Sequence, residues 1–204
     1  MIGKIVQIVA GLALLVYPFA VYFGLSHWDV RAAALVLLVL IAPAALARLK
    51  KHRASEVKAI AFVPLVTVVL LAASAALDAA GFILAVPVFV NLGLLATFGP
   101  TLRWGPPMIE RFARLQEPEL SEPKVRWCRT WTWIWCGFFV LNGAAAAALA
   151  LFAPLAWWTL YNGLIAYGLI GVLFAIEFVL RHVRFGAASR QALGSSQAPG
   201  GPTR

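Results

Sequence analysis

Apolar stretches alternate with short basic segments along the chain, and this alternation restricts the folds that it can adopt. A helix that crosses a hydrocarbon core of about 30 Å needs roughly 20 apolar residues. Six stretches have about that length, and they cover residues 4–24, 31–48, 59–77, 82–98, 131–151 and 156–180. Only 12% of the residues are charged, against about 25% in soluble domains. We therefore predict an all-α, polytopic integral membrane bundle of about six transmembrane helices.

The same pattern predicts the domain organisation. Residues 1–185 form a single transmembrane domain, in which 99–130 is the longest polar loop. Residues 186–204 are rich in Gly, Ala, Ser, Gln and Pro, which is typical of a disordered tail. The first apolar stretch is longer than the hydrophobic core of a signal peptide, about 7–15 residues, so we expect it to be retained as a helix.

The basic residues predict the orientation. Of the 17 Lys and Arg residues, one precedes the first stretch, five lie between the second and third, six between the fourth and fifth, and four after the sixth. Only Arg31 falls in a gap on the other side. Because short cytoplasmic segments carry the excess of Lys and Arg, both termini are predicted to be cytoplasmic.

The net charge of +9 at pH 7 raises the question of an anionic partner. The basic residues flank apolar stretches and do not gather on one face, so lipid headgroups are the expected partner and nucleic acid is not. The spacing gives no oligomeric state.

The third and fourth stretches are short and are joined by residues 78–81, and two arrangements fit them. A re-entrant hairpin would place Asp78 deep in the bilayer, at a cost of about 2.5–3.5 kcal/mol. Two full crossings would place Asp78 at the far surface and avoid that cost. Both arrangements leave the orientation of the other helices unchanged.

Four polar residues inside the apolar stretches are candidate intramembrane sites: Asn91, Asn142, Asn162 and Glu177. Asparagines can join helices by hydrogen bonds, and this structural role is the main alternative to a solute site. Glu177 is a candidate for a proton relay, but Arg181 follows four residues later and can share its helix face.

The loop at 99–130 is a candidate interaction surface. Pro107 precedes a short predicted helix, residues 108–116, that either lies on the membrane surface or rests on the bundle as a connector. The candidate interaction residues in this loop are Pro107, Arg111, Arg114, Glu119, Leu120, Pro123 and Trp127.

Sequence patterns for catalysis are missing. The chain has neither a phosphate-binding G-x-x-x-x-G-K-[ST] nor a G-x-S-x-G nucleophile elbow. Cys128 and Cys136 are eight residues apart, about 12 Å along a helix, which is too far for a disulfide within one helix. We predict no catalytic residue, no metal site, no cofactor and no enzymatic activity.

Several motifs in the second half carry a family resemblance. They are Pro-Met-Ile-Glu-Arg at 107–111, Glu-Leu at 119–120, Pro123, Trp127, and Phe-Phe-Val-Leu-Asn-Gly at 138–143. In this order they resemble the small bacterial inner-membrane proteins called intracellular septation protein A, over residues 90–182. The chain departs from that pattern by an extra residue between Trp127 and the Phe-Phe pair, and its first half is similar only in hydropathy. It also resembles uncharacterised membrane proteins of aryl-polyene and fatty-acid-like gene clusters.

These resemblances imply a function outside catalysis. The first implies a non-enzymatic inner-membrane protein that supports cell-envelope maintenance or assembly, through contacts with other membrane proteins. The second implies a membrane accessory of an aryl-polyene or fatty-acid-like pathway, with acyl-carrying soluble partners at the cytoplasmic face. The intramembrane asparagines and Glu177 leave a small-solute or lipid transporter as a third hypothesis.

Overall fold

The computed structural model describes residues 16–51 and 62–196, and all regular structure within them is helical. We number the α-helices in chain order and treat the short 3₁₀ and π segments separately. The elements are α1 (residues 16–27), α2 (Val30–Lys51), α3 (Phe62–Leu77), α4 (Ala80–Phe98), a 3₁₀ turn (Gly99–Leu102), α5 (Met108–Arg114), α6 (Glu122–Phe152), α7 (Leu155–Leu160), a π turn (Tyr161–Ile165) and α8 (Ala166–Ser196).

Three helical segments are long and apolar enough to cross a membrane. They are Ala80–Leu102, Glu122–Phe152 and Leu155–Gly186, judged by length and composition. Two shorter apolar segments, Val30–Ala42 and Leu65–Leu77, belong to α2 and α3. The prediction of an all-helical chain with membrane-spanning helices is confirmed at this level.

Two boundaries differ from the sequence prediction. Helix α6 begins at Glu122, well before the predicted span at 131, because Pro123 lies in its first turn, where a proline fits without losing a hydrogen bond. Helix α8 continues to Ser196, past residue 186, where the disordered tail was predicted to begin. Residues 197–204, like 1–15 and 52–61, lie outside the described part of the chain.

Tight turns join the first four helices in pairs. Between α1 and α2, the Asp29 carboxylate accepts a hydrogen bond of 2.6 Å from the Ala32 amide and caps α2. Between α3 and α4, Asp78 has a φ of 53°, the left-handed conformation that a tight turn requires. The Ser74 hydroxyl donates to the Ala79 carbonyl at 2.8 Å and closes this turn.

The chain forms two compact units, the first ending at Ala166 and the second beginning at Tyr167. In the first unit, α4 packs against α3 and α6, and α2 packs against α3. Its core contains fully buried residues from five helices, among them Val21, Ala34, Leu71, Ile83 and Trp158. The described side chains of the second unit belong to α8, whose large apolar residues are mostly exposed.

Candidate functional site

A chain of polar side chains connects three helical elements inside the first unit. The amide nitrogen of Asn142 on α6 donates to the amide oxygen of Asn91 on α4 at 3.1 Å. The hydroxyl of Tyr161, in the π turn, donates to the amide oxygen of Asn142 at 3.0 Å. Asn91 and Asn142 are both buried. The structure therefore brings together two of the four predicted intramembrane polar residues.

The other two predicted residues do not join this network. The amide nitrogen of Asn162 donates to the carbonyl of Trp158 in its own helix, at 2.9 Å. Glu177 lies on α8 in the second unit and is partly exposed. Both Glu177 and Arg181 are on the same helix, as the sequence predicted, but no ion pair joins the two described side chains.

Pro87 organises the middle of α4. A proline has no amide hydrogen, so the carbonyl four residues earlier, that of Ile83, loses its helical partner. The buried hydroxyl of Tyr17 on α1 donates to this carbonyl at 2.8 Å. The indole of Trp158 on α7 donates to the next carbonyl, that of Leu84, at 3.2 Å. The amide of Asn91 donates to the carbonyl of Pro87 itself at 2.8 Å.

Sequence reasoning missed Tyr17, Tyr161 and the role of Trp158. The side chain of Trp158 is fully buried in the core. The available signal was Pro87, because a proline inside an apolar helix leaves an unpaired carbonyl that needs a donor from a neighbouring helix.

The hydrogen bonds of this network join helical elements to one another. The amide groups of Asn91 and Asn142 donate and accept within the bundle. Among the described residues, no group of three His, Cys, Asp or Glu side chains is arranged to hold a metal ion. The arrangement accounts for positioning α4, α6 and the π turn relative to one another.

The segment between α4 and α6, residues 99–121, folds into a cap. The first amides of α5 find hydroxyl acceptors on other elements: Met108 donates to Thr101 at 3.0 Å, and Ile109 donates to Thr132 of α6 at 3.3 Å. Each threonine also donates to a carbonyl of its own segment. Pro107, a predicted interaction residue, is fully buried beneath α5. The cap is therefore attached to α6.

Charged side chains fix the shape of the cap. The buried carboxylate of Glu110 binds Arg114 at 2.7 Å, and Arg114 also donates to the carbonyl of Pro118 at 2.9 Å. Arg111 donates to the carbonyl of Pro106 at 3.0 Å. Arg129 of α6 donates to the carbonyl of Leu102 at 2.9 Å. Two predicted interaction residues, Arg111 and Arg114, thus serve largely to hold the cap together.

The remaining predicted loop residues lie at the junction of the cap and α6. Glu119 is exposed, Leu120 is half-buried, and Pro123 is exposed in the first turn of α6. Trp127 is half-buried on α6, with its ring 5.7 Å from that of Trp131. These residues follow one another along the chain at this junction.

The outer surface of the cap carries residues of a different kind. Arg103 is exposed, Trp104 is 70% exposed and Leu115 is 82% exposed. The ring of Phe112 lies 6.5 Å from that of Phe98 on α4, so part of α5 rests on the bundle. We call Arg103, Trp104 and Leu115 the cap surface.

Comparisons with protein-family models, with curated proteins and with solved structures find no match. The resemblance to intracellular septation protein A therefore stays an expectation based on the sequence motifs.

Proposed function

We propose that this chain is a non-enzymatic, multi-pass protein of the bacterial inner membrane that supports maintenance or assembly of the cell envelope. It acts through protein contacts made by the cap surface on the cytoplasmic side. The proposal has two parts, the topology and the working surface, and each has its own support.

The proposed topology has six crossings with both termini in the cytoplasm. The six predicted stretches each overlap a described helical segment, from α1 to the segment that begins with α7. The asymmetry of the basic residues, with only Arg31 on the outer side, sets the orientation. In this arrangement, Asp29 and Asp78 lie at outer turns, and the cap lies inside.

The observation that carries the function is the folded cap. Hydrogen bonds through Thr101 and Thr132, and the ion pair between the buried Glu110 carboxylate and the exposed Arg114, give this segment a fixed shape. A rigid surface that presents Arg103, Trp104 and Leu115 has the composition of a protein interface, in which tryptophan and arginine supply much of the binding energy.

The experiment is complementation of a gene deletion in the source bacterium. We expect the deletion to alter cell shape, membrane integrity, or pigment and lipid content, and the intact chain to restore them. The double variant Arg103→Glu/Leu115→Gln should insert at normal levels and fail to restore them. Arg181→Glu is the matched control, because it makes the same charge change on α8, which is not part of the cap.

Two results would contradict the proposal. A deletion strain with normal cell shape, membrane integrity, and lipid and pigment content would contradict the envelope function. Full restoration by the cap-surface variant would contradict the cap as the working surface and would not contradict the envelope function.

A second candidate is an accessory role in an acyl-chain pathway. The exposed guanidinium of Arg103 makes no ion pair with another described side chain, so it is free to attract an acidic acyl-carrying protein. Such binding should weaken as salt is raised and should be lost in Arg103→Glu. Binding of the full chain to purified acyl carrier protein, measured at two salt concentrations, tests this candidate. A transporter receives no comparable support, because the amides of Asn91 and Asn142 are engaged with each other.

A further inference from the structure

An open apolar groove lies between α1 and α2. Its volume is about 450 Å³, within the range of about 300–1,000 Å³ that is usual for small-ligand sites. It is lined by one face of each helix, with Ala20, Phe23, Gly24, His27 and Trp28 on one wall and Ala33, Val36, Leu37 and Leu40 on the other.

Gly24 and Ala33 are buried at the floor of the groove, where α1 and α2 approach closely. A Cβ atom added to Gly24 would lie 3.1 Å from the Cβ of Ala33, so the backbones approach as closely as small residues allow. The walls remain open, since Phe23 is 62% exposed and Leu40 is 63% exposed. The groove is therefore a feature of the outer surface of the bundle.

The groove has a polar end and an apolar end. His27 and Trp28 line it at the α1–α2 turn, whereas Ala20 and Leu40 line it farthest from that turn. The carbonyl of Phe23 lies 3.0 Å from Nδ1 of His27, so Nδ1 is the donor and Nε2 is left for another partner. Trp28 is 55% exposed, as expected of a tryptophan at a membrane–water interface.

The length of the groove matches one leaflet of a bilayer. From Ala20 to Trp28 the helix rises about 12 Å. Half of a hydrocarbon core of about 30 Å is about 15 Å. A chain that enters at the turn would therefore follow the groove through most of the outer leaflet.

We propose that this groove binds one acyl chain of a membrane phospholipid, with its headgroup at the His27–Trp28 turn. A helix from a second copy is the main competing occupant, and the experiment below distinguishes the two. The inference rests on the proposed membrane embedding and is independent of the role of the cap.

The experiment uses the full chain in vesicles of phosphatidylethanolamine and phosphatidylglycerol. A phospholipid with a diazirine on one acyl chain is photoactivated, and the labelled residues are mapped by mass spectrometry. We expect labelling concentrated on groove residues such as Phe23 and Leu40. Leu40→Trp, which fills the groove, should lower groove labelling at least fivefold. Val39→Trp is the matched control, because Val39 is exposed on the same helix and does not line the groove.

Each outcome supports or overturns the proposal. Equal labelling of Val39 and Leu40, or unchanged groove labelling in Leu40→Trp, means ordinary contact with bulk lipid and overturns it. Disulfide-linked dimers of a Leu40→Cys variant show that a second copy fills the groove and also overturn it. If Leu40→Trp melts at a lower temperature than Val39→Trp, Ala20→Phe replaces it and fills the groove from α1. Leu141, which is exposed on α6, should be labelled whenever the chain is embedded in the vesicle. Loss of the label at Leu141 therefore means failed embedding, whereas a label at Leu141 without labelling of the groove means an empty groove.

Discussion

The side chain of Asn142 bonds to both Asn91 and Tyr161, and its removal should cost more than the removal of the Tyr161 hydroxyl alone. Asn142→Leu keeps the branched shape of the side chain but leaves the Asn91 amide oxygen and the Tyr161 hydroxyl without this partner. We expect it to lower the free energy of unfolding by about 1–3 kcal/mol, since buried polar groups lose their hydrogen bonds. Tyr161→Phe removes one bond and should cost about 0.6 kcal/mol, at most about 1.7. Unfolding in mixed micelles, with increasing SDS, measures both.

The double variant Asn142→Leu/Tyr161→Phe tests whether the bond is real. Tyr161→Phe should cost little once Asn142 is gone, so the two effects should be less than additive. Strict additivity would contradict the network. Asn162→Leu is a control with one side-chain bond to a carbonyl in its own helix, and it should show no coupling to Tyr161→Phe.

At the residue scale, the sequence identifies candidates but does not pair them. Asn91 and Asn142 are conspicuous as amides within apolar stretches, yet 51 residues separate them, and polarity alone does not say that they meet. Tyr17 and Tyr161 give no such signal, because tyrosine is ordinary in an apolar helix. From the sequence, Glu110 would be expected to be a solvent-exposed acid in a loop. In the structure it is buried, because the cap folds back on α6.

At the scale of one element, Pro87 makes α4 depend on its neighbours. Tyr17→Phe should lower the free energy of unfolding by about 1 kcal/mol, because it removes the donor to the Ile83 carbonyl. In a Pro87→Ala background, the new amide at position 87 supplies a donor from within the helix. There, Tyr17→Phe should cost clearly less. A double-mutant cycle of unfolding free energies measures the difference.

An equal cost of Tyr17→Phe in both backgrounds would contradict this account and would mean that Tyr17 contributes by packing alone. Trp158→Phe is the comparison. Its donor bonds the carbonyl of Leu84, which Pro87 does not deprive of its partner, so its cost should depend less on position 87.

Close packing of α6 against α4 gives a second prediction for an element. A Cβ atom at Gly143 would lie 3.1 Å from the Cβ of Asn91, whereas one at Gly137 on the same helix meets nothing within 4 Å. We expect Gly143→Ala to lower the free energy of unfolding by about 1–2 kcal/mol, because overpacking exceeds the gain in helix propensity. Gly137→Ala should be neutral or stabilising by up to about 1 kcal/mol. Thermal unfolding of the two variants measures the contrast, and equal effects would contradict it.

Helices are the best-predicted elements, because a run of apolar residues bounded by charges or prolines has few alternatives. Their ends are less predictable. Polar residues 122–130 look like loop, but Pro123 begins a helix that runs into the apolar stretch without interruption. The cap has weak periodicity over its seven-residue helix α5, and its fold depends on hydroxyls contributed by Thr101 and by Thr132 of α6.

At the scale of the whole molecule, the charge pattern and the packing give different kinds of information. Basic residues assign segments to sides of a membrane, and they act outside the apolar stretches. The hydrogen bonds of Tyr17, Asn142 and Trp158 decide which helices meet, and they act inside the bundle. A test of the topology therefore needs probes at turns and not in the core, where a substitution would disturb the packing.

The turns between helices provide such probes. Cys128 and Cys136 are buried thiols, so a cysteine-free background is made first with Ala at both positions. Asp29→Cys and Asp78→Cys place single thiols at exposed turns, and both should react with a membrane-impermeant maleimide added to intact cells. Arg103→Cys and His182→Cys should react only after the membrane is permeabilised.

Labelling of Asp29→Cys without labelling of Asp78→Cys would favour a re-entrant α3–α4 hairpin, because that arrangement holds Asp78 within the bilayer. Labelling of Arg103→Cys in intact cells would reverse the orientation and place the cap on the outer side, which contradicts its proposed contacts with cytoplasmic partners.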